Sequence, residues 1–217
     1  MKKSGLYLLI SGFLLVSLIV NASAASIQKA YLTDPISGNV TVINLSDNSI
    51  VKKIRVSDQL TPSGIVIPND AEEFNGKIYV TIPQNGTDGF TNFLTDKLAV
   101  INASTDVIIS YITVGLCPQM LDIKNNKGYV TRCDNNVAVI DPTTDSLITV
   151  INDSSLDQPF GVLIFGDKVY ITNQGGGANG KVSVINATTD QIIGAISASP
   201  WPVGIEASNG KIYVGNN

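Results

Sequence analysis

The stretch that decides the fold is Lys168-Val-Tyr-Ile-Thr-Asn173, a Gly-rich gap, and then Lys181-Val-Ser-Val-Ile-Asn-Ala-Thr-Thr-Asp-Gln-Ile-Ile-Gly-Ala-Ile196. It contains three short apolar runs of β type separated by turn residues. The Tyr-bearing run returns at residues 29–33, 77–81, 127–131 and 211–215. Its tyrosine therefore marks a unit that repeats about every 41–50 residues, a spacing typical of propeller blades.

Two further elements recur with the tyrosine. The second run ends in Val-Ile-Asn or Val-Ile-Asp, at Asn44, Asn102, Asp141 and Asn186. Side chains of this kind cap tight turns by accepting hydrogen bonds from backbone N–H groups two or three residues on, and Asp106, Asp145 and Asp190 close the same turns. The other element is Pro-x-Gly followed by apolar residues, at Pro62, Pro159 and Pro202, with Pro118-Gln-Met120 as a variant.

Period-two alternation between turn residues predicts strands along the whole chain, and no segment has a useful helical period. The chain is therefore predicted to be all-β. In the second of these sequence repeats, the pattern predicts a strand at residues 65–67, a loop that includes Pro68 and Asn75-Gly76, and a strand at residues 77–82.

The combination of Lys-x-Tyr-Val-Thr, Val-x-Val-Ile-Asn with a following Thr-Asp-x-Ile, and Pro-x-Gly resembles the YVTN-repeat β-propellers. These include YncE-like exported proteins and archaeal surface-layer propellers. The resemblance covers the chain from Tyr31 to its end. It implies four antiparallel strands per blade and usually about seven blades in a ring. It implies little about activity, because members are mostly described as extracytoplasmic binding or surface proteins.

The number of units is lower than the resemblance implies. With the Pro-x-Gly strand named a and its successors b, c and d, the chain begins with b and ends with a and b after Trp201. About four blades are present. We predict an incomplete arc, a truncated or split part of a larger propeller. The alternative is a closed four-bladed ring, in which a last strand completes the first blade and removes exposed edges.

Residues 1–24 have the features of a signal peptide. Lys2 and Lys3 precede a mostly apolar run, and Ala22-Ser-Ala24 matches a cleavage site. Cleavage between Ala24 and Ala25 leaves residues 25–217 as the propeller repeats, exported to the periplasm, the medium or the cell surface. The alternative is an uncleaved N-terminal anchor, for which the apolar run is short.

The composition of the chain argues against several classes of function. The formal net charge is −4 and the chain contains no His. An acidic balance argues against nucleic-acid binding, which needs a basic face. The lack of His removes the usual general base of hydrolases and the usual zinc ligand. We predict no catalytic residue, no cofactor and no metal ligand.

The two cysteines are predicted to form a disulfide. Cys117 precedes strand a of its unit and Cys133 follows strand b, so the two stand nearly opposite each other at the open end of one hairpin. Export places them in an oxidising compartment. The alternatives are two free thiols or a redox pair, although no C-x-x-C motif is present.

Long b-to-c loops at residues 83–96 and 174–180, together with the d-to-a loops, are predicted to share one face. Loops on a rigid scaffold often form binding sites. Candidate ligand contacts are Asn85, Asp88, Asn92, Asp96 and Trp201. The simpler interpretation is that the Asn and Asp side chains are solvated polar residues of turns and that Trp201 is wedged between blades.

Two classes of function follow. The favoured one is a non-enzymatic extracytoplasmic propeller that binds a protein, peptide or glycan on its loop face, or contributes to a cell-surface layer, with blades from another chain as a further partner. The alternative is a propeller enzyme of lactonase-like or quinoprotein-like type, which needs a convergent acid–base pair or a metal or cofactor cage. A truncated fragment of a larger propeller is the third possibility.

Overall fold

The computed structural model describes residues 6–10, 13–20, 28–35, 37–56, 68–83, 97–175 and 180–217. All regular structure in these ranges is β-strand. The same ranges contain no helix that is long and apolar enough to cross a membrane. The chain divides into two units, Met1–Thr113 and Val114–Asn217.

The first unit contains two antiparallel sheets, one of five strands in the order β1-β2-β3-β4-β5 and one of four in the order β6-β7-β8-β9. Their bounds are β1 (Leu6–Ile10), β2 (Phe13–Val20), β3 (Lys29–Asp34), β4 (Asn39–Asn44), β5 (Ile50–Arg55), β6 (Ala71–Phe74), β7 (Lys77–Thr81), β8 (Lys97–Asn102) and β9 (Val107–Thr113).

The second unit contains two four-stranded sheets, β10-β11-β12-β13 and β14-β15-β16-β17, and a two-stranded hairpin, β18-β19. Their bounds are β10 (Pro118–Lys124), β11 (Lys127–Arg132), β12 (Asn136–Asp141), β13 (Ser146–Asn152), β14 (Pro159–Phe165), β15 (Lys168–Asn173), β16 (Lys181–Asn186), β17 (Gln191–Ser197), β18 (Pro202–Ser208) and β19 (Lys211–Asn216).

The four larger sheets are propeller blades, and we number them 1 to 4 in chain order. Within a blade the strands follow one another as an antiparallel meander. We name them a, b, c and d in chain order, so that the a strands of blades 2, 3 and 4 are β6, β10 and β14. The b strands are β3, β7, β11 and β15. The terminal hairpin, β18–β19, supplies an a strand and a b strand. The prediction of an all-β chain of four-stranded antiparallel blades is confirmed.

Blade 1 includes residues from the predicted signal peptide. β1 and β2 extend its sheet, with Leu18 opposite Tyr31 of β3. A run of Leu, Val and Ile favours strands, and β3 has an edge on that side which can pair with it. The predicted cleavage site at Ala24 and Ala25 lies outside the described residues, so cleavage there stays a prediction.

Strand a of blade 2 lies where the sequence predicted a loop. β6 covers Ala71–Phe74 and pairs Phe74 with Lys77 across Asn75 and Gly76, which have φ angles of +49° and +75°. A two-residue turn of this kind continues directly into strands on both sides. β6 contains two adjacent glutamates, so its sequence lacks the apolar alternation that predicts a strand. The predicted strand at residues 65–67 lies outside the described residues.

The core lies along the b and c strands of each unit. In β8, Leu98, Ala99, Val100 and Ile101 are all buried, whereas most side chains of the outer d strands are exposed. The sequence of a strand that is covered on both faces is a continuous apolar run. Buried side chains of β7 and β8 accordingly belong to one hydrophobic core in the first unit.

Candidate functional site

The repeated Lys-x-Tyr-x-Thr motif places three side chains on one face of a b strand, because residues i, i+2 and i+4 of a strand share a face. In blade 1 this face turns toward blade 2. The Tyr31 hydroxyl donates to Asp106 Oδ1 at 2.6 Å, and the Lys29 ammonium donates to Asp106 Oδ2 at 2.7 Å. Asp106 closes the c–d turn of blade 2, so the motif ties one blade to the next.

The second unit contains the same arrangement. The Tyr129 hydroxyl lies 2.5 Å from Asp190 Oδ1, and Lys127 Nζ lies 3.0 Å from each Asp190 oxygen. Lys127 also donates to the Ala187 carbonyl at 2.9 Å, and the Tyr129 hydroxyl lies 3.2 Å from the same carbonyl oxygen. We call this set of contacts the Lys–Tyr–Asp clasp. Its occurrence in both units indicates a structural role.

The threonine of the motif makes the third connection between blades. Thr131 Oγ1 donates to the Phe160 carbonyl of the next blade at 2.5 Å. In the same way, Thr172 Oγ1 accepts from the Gly161 N–H at 2.7 Å and lies 3.1 Å from the Val203 carbonyl oxygen of β18. The Lys, Tyr and Thr of the repeat thus share one task, which is blade-to-blade attachment.

Burial changes the titration of the clasp tyrosines. Tyr31 is fully buried and Tyr129 nearly so. Burial, together with the hydrogen bond to Asp106, raises the pKa of Tyr31 well above its ordinary range. Burial and Asp190 act in the same way on the pKa of Tyr129. Both phenols stay protonated in the folded chain while they donate to a carboxylate.

Alkaline pH is therefore expected to destabilise the chain. Because the folded pKa of Tyr129 is raised, its contribution to stability is complete below the unfolded pKa of about 10 and is lost as pH rises above it. The Tyr129→Phe variant should lose less stability between neutral pH and alkaline pH than the wild type. Urea unfolding at a series of pH values measures the difference. Equal pH dependence in the two proteins contradicts it.

Features that occur once in a repeated scaffold are better candidates for a binding site than the clasps. Asn85, Asp88, Asn92 and Asp96 lie within residues 84–96, outside the described residues, so their role as ligand contacts stays a prediction. Trp201 is described, and its side chain is 44% exposed. It is therefore not wedged out of solvent between blades.

Trp201 occupies a backbone position that is repeated in the second unit. Cys117, Gln158 and Trp201 each precede the proline that starts an a strand, with φ angles of +51°, +52° and +54°. Each carbonyl accepts a backbone N–H from the residue after the b strand, namely Cys133, Gln174 and Asn217, at 3.2, 3.0 and 3.0 Å. We call these three the pre-proline positions. Their backbone is constant, and their side chains differ.

The two cysteines lie together at the first pre-proline position. Cys117 is buried and Cys133 is partly buried, and both are free thiols. The Gln119 amide donates to Cys117 Sγ at 2.8 Å. A hydrogen bond from the Cys133 thiol lowers the pKa of Cys117, and donating that bond raises the pKa of Cys133. The thiols are close neighbours, and the disulfide between them stays a prediction.

Oxidation is expected to join these thiols. Protein purified without reductant should resist alkylation at Cys117 and Cys133 under denaturing conditions and should become alkylated at both after reduction, because adjacent thiols in an oxidising compartment form disulfides. Mass spectrometry of the alkylated peptides measures this. Labelling of both thiols before reduction contradicts the prediction.

A partly buried ion pair lies next to the cysteines in the sequence. Arg132 follows Thr131 at the end of β11 and donates through Nη2 to Asp134. A Cβ at Gly115, which has a φ angle of +92°, would overlap the Arg132 guanidinium. Arg132 Nε and Asp134 Oδ1 have no hydrogen-bond partner within the described part of the chain. The equivalent residue in blade 4 is Asn173, so this pair is unique in its unit.

No group of three or more His, Cys, Asp or Glu side chains that could hold a metal ion occurs in the ranges that the structure describes. The Gly-rich loop after Asn173 is described only at its two ends, since residues 176–179 lie outside the described residues.

Sequence reasoning missed two features of this region. It interpreted Asp106 and Asp190 as turn residues only, although the two-residue spacing of Lys, Tyr and Thr was a signal that all three face one neighbour. No repeated motif includes Arg132 and Asp134, so their ion pair was not predictable from the sequence.

Comparison with known proteins supports the fold. No protein-family model and no curated protein matches the sequence. BamB from Moraxella catarrhalis is similar in structure, with a TM-score of 0.69 and 12% identity over 89% of this chain and 54% of BamB. Hydrazine synthase from Kuenenia stuttgartiensis gives a TM-score of 0.63 and 15% identity over 82% of this chain and 48% of the other.

Both similar structures contain β-propellers. This chain spans about half the length of each, as the coverages of 54% and 48% state. At these identities the similarity concerns the arrangement of strands and blades. Together with the four-stranded antiparallel sheets and the clasps between them, it shows that this chain has a β-propeller fold.

Proposed function

We propose that this chain is an exported, non-enzymatic binding module of the YVTN-repeat type, and that the exposed pre-proline residues Gln158 and Trp201 take part in binding a protein partner. The observation that carries the proposal is a constant backbone with variable side chains at Cys117, Gln158 and Trp201. Rigid scaffolds with variable end residues are suited to recognition. Tryptophan is one of the residue types enriched at the energetic hot spots of interfaces, and Trp201 is exposed.

The support for export comes from the sequence of residues 1–24. Two lysines, an apolar run and Ala22-Ser-Ala24 have the order of a cleavable leader. We expect protein recovered from outside the cytoplasm of the producing cells to start at Ala25. Intact-mass measurement tests this, and a full-length chain retained in the cytoplasm contradicts it.

A photo-cross-linking amino acid at position 201 tests the binding role. Introduced there in the producing cells, it should give a discrete cross-linked protein, because the side chain lies in the proposed interface. The matched control is position 148 on β13, where the native Ile148 has a similar exposure, 50% against 44% for Trp201. An excess of unlabelled wild-type chain should suppress the product, and the Trp201→Ala chain should suppress it less. Identical products from both positions contradict the proposal.

A further inference from the structure

The turn between strands c and d of blade 4 contains two polar groups that the fold does not use. Strand c ends at Asn186 and strand d begins at Gln191. Asn186 Oδ1 accepts the backbone N–H groups of Thr188 and Thr189, at 2.9 and 3.1 Å. These two bonds close the turn and use only the carbonyl oxygen of the side-chain amide. The amide nitrogen of Asn186 and the hydroxyl of Thr188 take no part in them.

Both of these groups face solvent. Neither Asn186 Nδ2 nor Thr188 Oγ1 has a hydrogen-bond partner among the residues that the structure describes. Thr188 is exposed and Asn186 is partly exposed. Within the described ranges, the buried polar atoms that lack a partner do not include Asn186 Nδ2. The amide nitrogen therefore reaches the surface, two residues before a solvated hydroxyl.

Turn formation does not require an asparagine at this position. In the equivalent turn of blade 3, Asp141 Oδ1 accepts the N–H and the hydroxyl of Thr143, at 2.8 and 2.6 Å. A carboxylate therefore closes the turn as well as an amide does. The next residue there is Pro142, and proline at this place excludes the Asn-x-Ser/Thr motif for attachment of a glycan. Blade 4 has the complete motif, Asn186-Ala-Thr188.

The c–d turns of blades 1 and 2 contain the same motif, as Asn44-Leu-Ser46 and Asn102-Ala-Ser104. In each, the asparagine Oδ1 accepts the serine N–H at 2.9 Å. The serine hydroxyl donates to the same oxygen, at 2.8 and 2.6 Å, whereas the amide nitrogen has no partner in the part of the chain that the structure describes. Three of the four c–d turns therefore present an unused asparagine nitrogen within the motif.

These turns lie at the end of the blade away from the pre-proline positions. In blade 4, β15 starts at Lys168, which pairs with Asn186, and ends at Asn173, which pairs with Pro159. Gln158 therefore lies about one strand length, roughly 17 Å, from the c–d turn. A bulky group attached at Asn186 leaves the end that carries Gln158 uncovered.

We propose that Asn186 is an acceptor of an N-linked glycan, and that Asn44 and Asn102 are equivalent acceptors. Asn-x-Ser/Thr is the acceptor motif in surface loops of secreted proteins. The proposal therefore rests on the export proposed above. Turn chemistry accounts for the asparagine oxygen, and glycan attachment accounts for the free nitrogen and for the hydroxyl of Thr188.

The reaction needs a glycosyl phosphate donor and a transferase, both supplied by the producing cell. Asn186 Nδ2 attacks the anomeric carbon of the donor sugar. A nitrogen–carbon bond forms, and the bond from that carbon to the phosphate oxygen breaks. The phosphate leaves with the bonding electron pair, and Nδ2 loses one proton to a base of the transferase. No group is oxidised or reduced.

Mass spectrometry of protein recovered from outside the cytoplasm of the producing cells tests the proposal. The intact mass should exceed that of residues 25–217 by at least one glycan, and the proteolytic peptide that contains Asn186 should carry it. A chain that starts at Ala25 with Asn186 unmodified overturns this proposal and leaves export standing. A chain that keeps its leader and carries no glycan overturns both.

Variants of the motif separate glycan attachment from turn formation. Thr188→Ser should keep the glycan, because the hydroxyl is retained. Thr188→Ala should lose it, although the backbone N–H that closes the turn is unchanged. Asn186→Asp should lose it as well, with the turn closed as it is at Asp141. Equal midpoints of urea unfolding for the two Thr188 variants would show that both turns are intact. Equal glycan occupancy in those two variants overturns the proposal.

Discussion

Replacing Asp190 by asparagine is expected to lower the free energy of unfolding by about 2–3 kcal/mol, the scale of hydrogen bonds to a charged group. The change keeps the shape of the side chain but removes the charge that Lys127 and Tyr129 contact. Lys127 is 25% exposed, so water moderates the loss below that of a fully buried pair. Urea unfolding followed by the fluorescence of Trp201, the one tryptophan of the chain, measures it.

Asp167→Asn is the matched control. Asp167 also lies next to a lysine of the repeat, but the pair is 3.7 Å apart and Asp167 is 77% exposed. Exposed pairs contribute little, so this variant should differ from the wild type by about 0.5 kcal/mol or less. Similar losses in the two variants would show that the clasp adds nothing beyond surface charge.

The clasp explains why the repeat has the sequence that it has. Tyrosine supplies an apolar ring for the space between blades and a hydroxyl that can hydrogen-bond inside it. Two residues before the tyrosine, the lysine supplies a cation for the same carboxylate. Two residues after it, the threonine supplies a hydroxyl for the a strand of the next blade. One face of the b strand therefore makes the contacts that attach a blade to the next one. The sequence motif repeats because each blade is attached in the same way.

Strands and turns were predictable because their signals are local. The Tyr-bearing runs predicted at residues 29–33, 77–81 and 127–131 lie in β3, β7 and β11. β6 was not predictable in the same way. Its two glutamates remove the apolar pattern, and its register is fixed by the turn at Asn75-Gly76 and by pairing with β7.

The candidate site was less predictable because its features depend on neighbours. The left-handed backbone at Cys117, Gln158 and Trp201 precedes a proline, where no local preference suggests it. It is held by a hydrogen bond from the end of the b strand, about sixteen residues away in the chain. Contacts of that kind become visible only when the a–b hairpin is folded.

Gly161→Ala is expected to destabilise the second unit by about 2–3 kcal/mol, at the upper end of the cost of forcing extra atoms into a packed site. A Cβ at Gly161 would overlap the Val203 carbonyl oxygen of β18 and would lie 2.9 Å from Thr172 Oγ1. Backbone atoms of two adjacent a strands cannot give way without separating, so the cost falls on the contact between blade 4 and the terminal hairpin. Urea unfolding monitored at Trp201, which immediately precedes β18, measures it.

The control for this prediction is Gly194→Ala on β17, where a Cβ meets no atom within 4 Å. Alanine there restricts the unfolded chain and should leave stability unchanged or raise it by about 0.5 kcal/mol. A loss at Gly161 but not at Gly194 would assign the glycine of Pro-x-Gly to close blade contact rather than to turn formation, since Gly161 lies inside a strand and has no positive φ. Equal effects of the two substitutions would contradict that assignment. The motif would then have to be explained by its proline and by the left-handed residue before it.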